Sequence, residues 1–270
     1  MSATIPVGAA TAPEPTTRPP LVPQPRRHAV FHPLRVAAVD RLTEDAVAVT
    51  FEVPAELAAD YDFVHGQHLT IRTSLGGAEI RRNYSICSPA GSGVLQVAVK
   101  ALPGGVFSAW VNEQLAVGDV VDVMTPTGRF TTPLVPGQAK HYTAVVAGSG
   151  ITPVLSIVST ILAQEPASRF TLLYGNRTTS SIMFLEELAD LKDRYPDRLA
   201  LFHVLSREPV EADLLHGRLE PDKLSAFLDT LLPASEVDEW FLCGPFEMVV
   251  ASRELLVSRG VDPAHVHSEL

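Results

Sequence analysis

Between residues 31 and 124, apolar and polar side chains alternate in short runs punctuated by Gly, Pro and Asp. Runs at 34–39 and 46–53 read as strands joined by a charged turn, and 65–72 as a third strand opened by Gly66. Three more lie at 83–87, 94–100 and 120–124. Side chains two apart on a strand share a face, so such a run buries one side. Six short strands in about 110 residues predict a small antiparallel barrel or sandwich. One segment breaks the alternation. In Gly104-Gly105-Val106-Phe107-Ser108-Ala109-Trp110-Val111, two glycines enter a short helix with Phe107, Trp110 and Val111 on its apolar side.

Beyond residues 133–137 the period changes. An unbroken apolar run at 141–147 predicts a strand covered on both faces. Helix-like periods at 154–164, 184–195, 221–228 and 246–259 then alternate with strand-like runs at 170–174, 199–205 and 239–243. Such alternation predicts a doubly wound parallel sheet. The chain therefore divides into an antiparallel β domain at 29–138 and an α/β domain at 139–270. Residues 1–28 carry seven prolines and no apolar period, and read as a disordered tail.

Composition narrows the function classes. Hydrophobic residues are 46% and charged residues 19%, which suits a globular chain with a sizeable core. A net charge of −10 argues against nucleic acid or anionic membrane as partner, while leaving room for a local basic pocket. No apolar run approaches the roughly 20 residues of a membrane span, and the N-terminus lacks a signal-peptide core. The two cysteines, Cys87 and Cys243, form no C-x-x-C, which fits a reducing cytoplasm. Two thiols also cannot ligate an iron–sulfur cluster that needs four. His65 with His68, and His265 with His267, lack a third ligand at metal-site spacing, so no metal site is expected.

The candidate chemistry centres on Arg82-Asn83-Tyr84-Ser85. On a strand, Arg82 and Tyr84 share a face, with Ser85 at the end. Arg82 can fork onto a phosphate, Tyr84 can stack on a ring and Ser85 can bond a ring edge. The plainer alternative is a half-exposed strand with solvated arginines. The glycines before Val106 leave helix N-terminal amides open to an anion; a simple turn is the alternative. Gly148-Ser149-Gly150-Ile151-Thr152-Pro153 lies at the first strand-to-helix turn of the α/β domain, where such sheets bind dinucleotides. Pro153 there departs from the commonest fingerprint, which has a third glycine, but suits a first helical turn. Asn176-Arg177, Ser206-Arg207 and Cys243-Gly244-Pro245 end later strands, and strand ends of this type face the ligand crevice. The arginines would suit a ribose phosphate.

These signals occur together and in order, and from about Phe31 onward the chain resembles the ferredoxin–NADP reductase superfamily. Gly66-Gln67-His68-Leu69-Thr70, 81–87, 147–153, 173–178, 189–196, 213–218 and Cys243-Gly244-Pro245 read, more narrowly, like the reductase components of bacterial phenylacetyl-CoA oxygenases (epoxidases) of phenylacetate catabolism. The resemblance implies an FAD-binding antiparallel β-barrel followed by an NADP-binding α/β domain, and an NAD(P)H-dependent flavin oxidoreductase. It places FAD at Arg82, Asn83, Tyr84, Ser85, Val97, Val99, Lys100, Gly104, Gly105, Val106, Phe107, Ser108 and Thr152. Arg82 and the helix start would hold the pyrophosphate, Tyr84 would lie along the flavin, and Ser85 would meet its hydride-accepting nitrogen. It places NADPH, in preference to NADH, at Gly148, Ser149, Gly150, Ile151, Thr152, Pro153, Asn176, Arg177, Ser206, Arg207, Cys243, Gly244 and Pro245. Ser85, Cys243 and Glu269 become the catalytic group. Electrons would pass to an iron–sulfur carrier, a ferredoxin domain or protein, and then to an oxygenase complex. Relatives of this type carry a C-terminal ferredoxin domain with a C-x4-C-x2-C motif, which this sequence does not contain. Two other readings stay open at this point. One is a reductase for another ring-hydroxylating oxygenase or a separate ferredoxin, and the other is a non-catalytic interaction module.

Overall fold

A computed structural model describes residues 29–270, so the tail expected at 1–28 lies outside the described residues. Six strands form one antiparallel sheet: β1 (Phe31–Thr43), β2 (Ala46–Glu52), β3 (His68–Leu75), β4 (Ala78–Ser85), β5 (Leu95–Lys100) and β6 (Val120–Met124). Their order is β4-β3-β6-β1-β2-β5. Just past β4, Ile86 pairs with Val97 of β5, and Cys87 N–H donates to Gln96 O at 2.9 Å. That pairing joins the two outer strands and curls the sheet into a barrel, which leaves fewer backbone groups unpaired than an open sandwich edge. The third strand starts at His68 rather than at residue 65. Gly66 turns there at φ +79°, so close to the loop after β6 that an added Cβ would lie 1.8 Å from Phe130 O. The two-glycine segment enters α1 (Val106–Glu113), which lays Phe107 and Val111 into the barrel core.

The α/β half has five parallel strands in the order β11-β10-β7-β8-β9. They are β7 (His141–Ala147), β8 (Arg169–Asn176), β9 (Leu199–Leu205), β10 (Glu239–Cys243) and β11 (Val266–Glu269). Helices α2 (Ile151–Gln164), α3 (Leu185–Arg194), α4 (Pro221–Thr230) and α5 (Phe246–Ser258) connect them. The sequence pattern missed β11. Four residues are too few to show a period, and this strand exists because β10 offers it an edge. Helix α2 also begins three residues earlier than its period suggested. A single 3₁₀ turn at Gly148–Gly150 feeds it, and Pro153 fits its first turn because no helical N–H is lost there.

The two halves share apolar packing. Alternate residues of β2 serve different cores: Val47, Val49 and Phe51 fill the barrel, while Ala46 and Ala48 face the α/β half. Strand β5 does the same with Val97 and Val99 inside and Ala98 outside. Small outer residues let α2 approach closely, and α2 is buried nearly all round because sheet and barrel flank it. Ala90 N–H donates to Thr160 Oγ1 of α2 at 3.0 Å, and Phe130 meets Phe241 edge-to-face at 5.5 Å. The opposite sheet face packs Val145, Leu173 and Trp240 under α4 and α5. Among the described residues, no helix is long and apolar enough to cross a membrane.

Candidate functional site

In the parallel sheet the chain runs from β7 outward through β8 to β9, then returns to the other side of β7 as β10. The order therefore reverses between β7 and β10, and that switch point is where open α/β sheets hold ligands. The loops after these two strands touch there. A Cβ added to Gly150 would lie 2.3 Å from Cys243 O and 2.9 Å from Gly244 N. Gly148 has φ +55° with open space where a Cβ would stand. Thr152 is buried and donates from Oγ1 to Ser149 O at 2.9 Å, which fixes the turn. Tyr174 OH donates to Gly148 O at 3.1 Å from the neighbouring strand end.

The barrel brings its own residues to this seam. On β4, Tyr84 is half-buried and stacks on Phe107 of α1 at 5.7 Å and 28°, so the strand end and the two-glycine helix start are neighbours. Burial pushes the Tyr84 hydroxyl up to about 12, so it stays protonated at neutral pH. Arg82 is exposed and, among the described residues, bonds only Arg81 O, at 2.7 Å. Asn83 Oδ1 accepts from Thr70 Oγ1 at 2.8 Å across the β3–β4 ladder. Gly104, at φ +73°, leaves open a space that any side chain would occupy, and α1 has no side-chain cap on its first turn. A helix start with no side-chain cap is suited to an anion such as a pyrophosphate.

Ser85 joins the two halves. Its Oγ–H donates to Glu269 Oε1 at 2.7 Å, and Glu269 is the register partner of Cys243 on β10. Burial, with Glu269 adding to it, pushes the Cys243 thiol up to about 12, which makes it a packing group beside the seam rather than a thiolate. Ser85, Glu269, Cys243 and Gly150 thus form one continuous line across the domain junction.

Other residues expected at the site sit differently. Val97 and Val99 point into the barrel core, and Val99 O already accepts from Asn112 Nδ2 at 3.1 Å. Ser108 Oγ is used within its own loop, donating to Gly105 O and accepting from Leu102 N–H. Lys100 pairs with Asp45 at 3.1 Å. Val106 is exposed at the start of α1. Pro245 caps α5 just after β10.

At the next strand ends, Ser206 N–H donates to Asn176 O at 3.0 Å and Arg207 N–H to Arg177 O at 2.8 Å. The ladder between β8 and β9 thereby extends past its strands and sets two exposed arginines side by side. Asn176 Nδ2 is buried there without a partner among the described residues, as a donor awaiting a ligand would be. Thr179 also belongs to this corner, though none of the sequence motifs above singles it out. Its hydroxyl and amide both bond Glu208, and the Thr178-Thr179-Ser180-Ser181 run was the available signal, since Thr178 and Ser181 form a capping box. A groove of about 320 Å³ lined by His141, Arg169, Phe202 and Phe227 lies at the opposite strand ends. Lys192 and Arg198 on its rim are spent on backbone carbonyls, so neither is left for an anionic ligand.

Comparison with known proteins agrees with this layout. Residues 33–132 match the oxidoreductase FAD-binding domain and residues 145–254 the oxidoreductase NAD-binding domain. The chain is 45% identical over 239 residues to one component of the 1,2-phenylacetyl-CoA epoxidase of Escherichia coli K12, covering 88% of this chain and 67% of that protein. It is 34% identical over 240 residues to the ferredoxin reductase component of a Rhodococcus rhodochrous 3-ketosteroid-9-alpha-monooxygenase, covering 88% and 64%. The chain therefore spans about two thirds of the length of these relatives. Among solved structures, an Amycolatopsis cytochrome P450 reductase superposes with a TM-score of 0.74 at 28% identity, covering 90% of this chain and 71% of that one.

Proposed function

We propose a function from one premise: the chain belongs to the ferredoxin–NADP reductase type of oxidoreductases, with an FAD-binding and an NAD-binding domain. The proposal is that it takes electrons from NADPH and delivers them through FAD to an iron–sulfur carrier serving an oxygenase of the phenylacetyl-CoA epoxidase type. The observation that carries it is the Ser85–Glu269 hydrogen bond, which ties the barrel strand end to the nucleotide sheet at the switch point. The names of the relatives, parts of oxygenase systems, support the choice of acceptor class.

In this reading residues 29–138 hold FAD and 139–270 hold the nicotinamide nucleotide. Arg82 and the first turn of α1 grip the pyrophosphate, with Gly104 and Gly105 keeping the approach clear. Tyr84, braced from behind by Phe107, offers its ring to the flavin. The turn from Gly148 to Pro153 lets a nucleotide backbone approach, while Asn176, Arg177, Ser206 and Arg207 take its ribose and phosphate. Thr152, Cys243, Gly244 and Pro245 border the nicotinamide end. When bound, the flavin accepts hydride from the nicotinamide and releases electrons singly. The chain's own part is positioning: it aligns the two groups and excludes water between them. At the junction Ser85 Oγ–H donates to Glu269 Oε1, which holds the hydroxyl at the end of β4 where the flavin edge would lie.

The test is reconstitution. Purified protein should bind FAD, oxidise NADPH with ferricyanide as acceptor, and support a partner oxygenase only when a ferredoxin is supplied. Absence of flavin uptake would overturn the reading. Full product formation without ferredoxin would remove the carrier from it.

A further inference from the structure

Glu208 follows Ser206 and Arg207 at the end of β9, and a carboxylate is the wrong group to find beside a phosphate pocket. A free acidic side chain near this point of a dinucleotide fold accepts from the ribose hydroxyls and favours the nucleotide without a 2′-phosphate. Here the carboxylate is not free. Its Oε2 accepts Thr179 N–H at 2.7 Å and its Oε1 accepts Thr179 Oγ1–H at 2.9 Å. Thr179 is held in turn. It opens the 3₁₀ turn Thr179–Ser181, in which Thr178 and Ser181 cap each other and Thr178 N–H donates to Ser181 Oγ at 3.1 Å. The two arginines nearby are the reverse case. Arg177 and Arg207 are linked through their backbones at 2.8 Å, and no hydrogen bond or ion pair involves either guanidinium among the described residues.

We propose that Thr179 is a selectivity-determining positioning residue: by engaging both oxygens of Glu208 it withholds that carboxylate from the ribose, so that Arg177 and Arg207 meet a 2′-phosphorylated adenine nucleotide. The proposal rests on the NADPH reading above and adds to it the device that offsets the acidic residue. Thr179 touches no nucleotide in this scheme and acts only through Glu208. Its loss should therefore alter binding and leave the chemical step alone.

The experiment uses the FAD-reconstituted chain. Calorimetry with 2′-phospho-AMP and AMP measures binding directly, and kcat and KM for NADPH and NADH are followed with ferricyanide. Thr179→Val removes one of the two bonds to Glu208, so the NADPH:NADH ratio of kcat/KM should fall about fivefold, the value of one hydrogen bond near 1 kcal/mol. The fall should appear in KM and in the 2′-phospho-AMP affinity, with kcat unchanged. Thr179→Ser, which keeps the hydroxyl, should hold the wild-type ratio. In a Glu208→Gln background the Thr179→Val effect should vanish, because no carboxylate is left to release. Thr179→Ala replaces the valine variant should the latter fail to fold by circular dichroism. An unchanged ratio in the valine or alanine variant, or an equal fall with and without the Glu208 carboxylate, overturns the proposal. A wild type that prefers NADH overturns the NADPH reading, and it does so independently of how the variants respond.

Discussion

Ser85 and Glu269 are 184 positions apart in the chain, yet Ser85 Oγ–H lies 2.7 Å from Glu269 Oε1. One ends a barrel strand and the other ends the outermost strand of the parallel sheet. Both are half-exposed at the junction, so the pair stabilises the fold little while tying the end of β4 to the end of β11. Ser85→Ala should slow reduction of bound flavin by NADPH roughly ten- to a hundredfold, the value of a hydrogen bond to a charged group, about 1.5–3 kcal/mol. Stopped-flow absorbance at the flavin band measures it. An unchanged rate with an unchanged melting temperature would remove Ser85 from the site.

Arg82 offers the counter-test on the flavin side. Its guanidinium is exposed and, among the described residues, bonds only a neighbouring carbonyl, so little of the fold depends on it. Arg82→Ala should weaken FAD by about 1.5–3 kcal/mol, the value of a charge-assisted bond, while leaving the melting temperature of the apoprotein in place. Fluorescence titration with FAD decides the matter.

Gly150 is the tightest point of the turn from β7 into α2. Its backbone is helical, so alanine would be unstrained in φ, and the obstacle is space alone. The atoms in the way, Cys243 C and O and Gly244 N, are backbone and cannot swing aside as a side chain could. Gly150→Ala should force the β7 and β10 loops apart and cost about 1–3 kcal/mol, the usual penalty of overpacking. Gly148→Ala meets no atom and tests φ strain alone, so its effect should be smaller. Urea midpoints of the two variants compare them, and a larger loss at Gly148 would contradict the packing argument.

His65 predicts an acid limb in the stability profile. Burial holds its ring neutral down to about pH 4, well below the ordinary 6.5, and its Nδ1 has no partner among the described residues. The unfolded chain takes up a proton near pH 6.5 and the folded chain does not, so acid favours unfolding. Stability should be complete above pH 6.5 and fall by up to about 3 kcal/mol as pH drops to 4. Glu239 acts in a lower window. Burial opposes its ionisation, but bonds from His267 and Lys140 outweigh that and bring it down to about 2, so its contribution is lost only from about pH 4.5 downward. His65→Gln should reduce the limb between pH 6.5 and 4 in urea unfolding, leaving the part contributed by His141 and His203, which burial also holds below the ordinary histidine value. A limb of unchanged size in that variant would remove His65 from it.

The two sheets, the antiparallel one first, and most of their strands were legible in the chain, because burial on one face or on both writes a period into neighbouring residues. The turn from Gly148 to Pro153 was legible for a related reason: Gly148 at φ +55° and Pro153 in a first helical turn suit the local backbone, whereas Gly150 is required by the backbone of Cys243 and Gly244 that passes it. Other features depend on tertiary structure. Strand β11 has four residues and no period of its own, and it forms because β10 presents an edge. The start of β3 moved from 65 to 68 because Gly66 must pass the Phe130 carbonyl, an atom far along the chain. The inward aim of Val97 and Val99, the loop bonds that occupy Ser108, and the pairing of Thr179 with Glu208 are of the same kind. So is the meeting of Ser85 with Glu269, which requires the barrel to dock on the parallel sheet through Ala46, Ala48 and α2. Local patterns encode which face of an element is buried. They do not encode which distant residue arrives at that face, because strand order and domain docking are set by the packing of the whole chain.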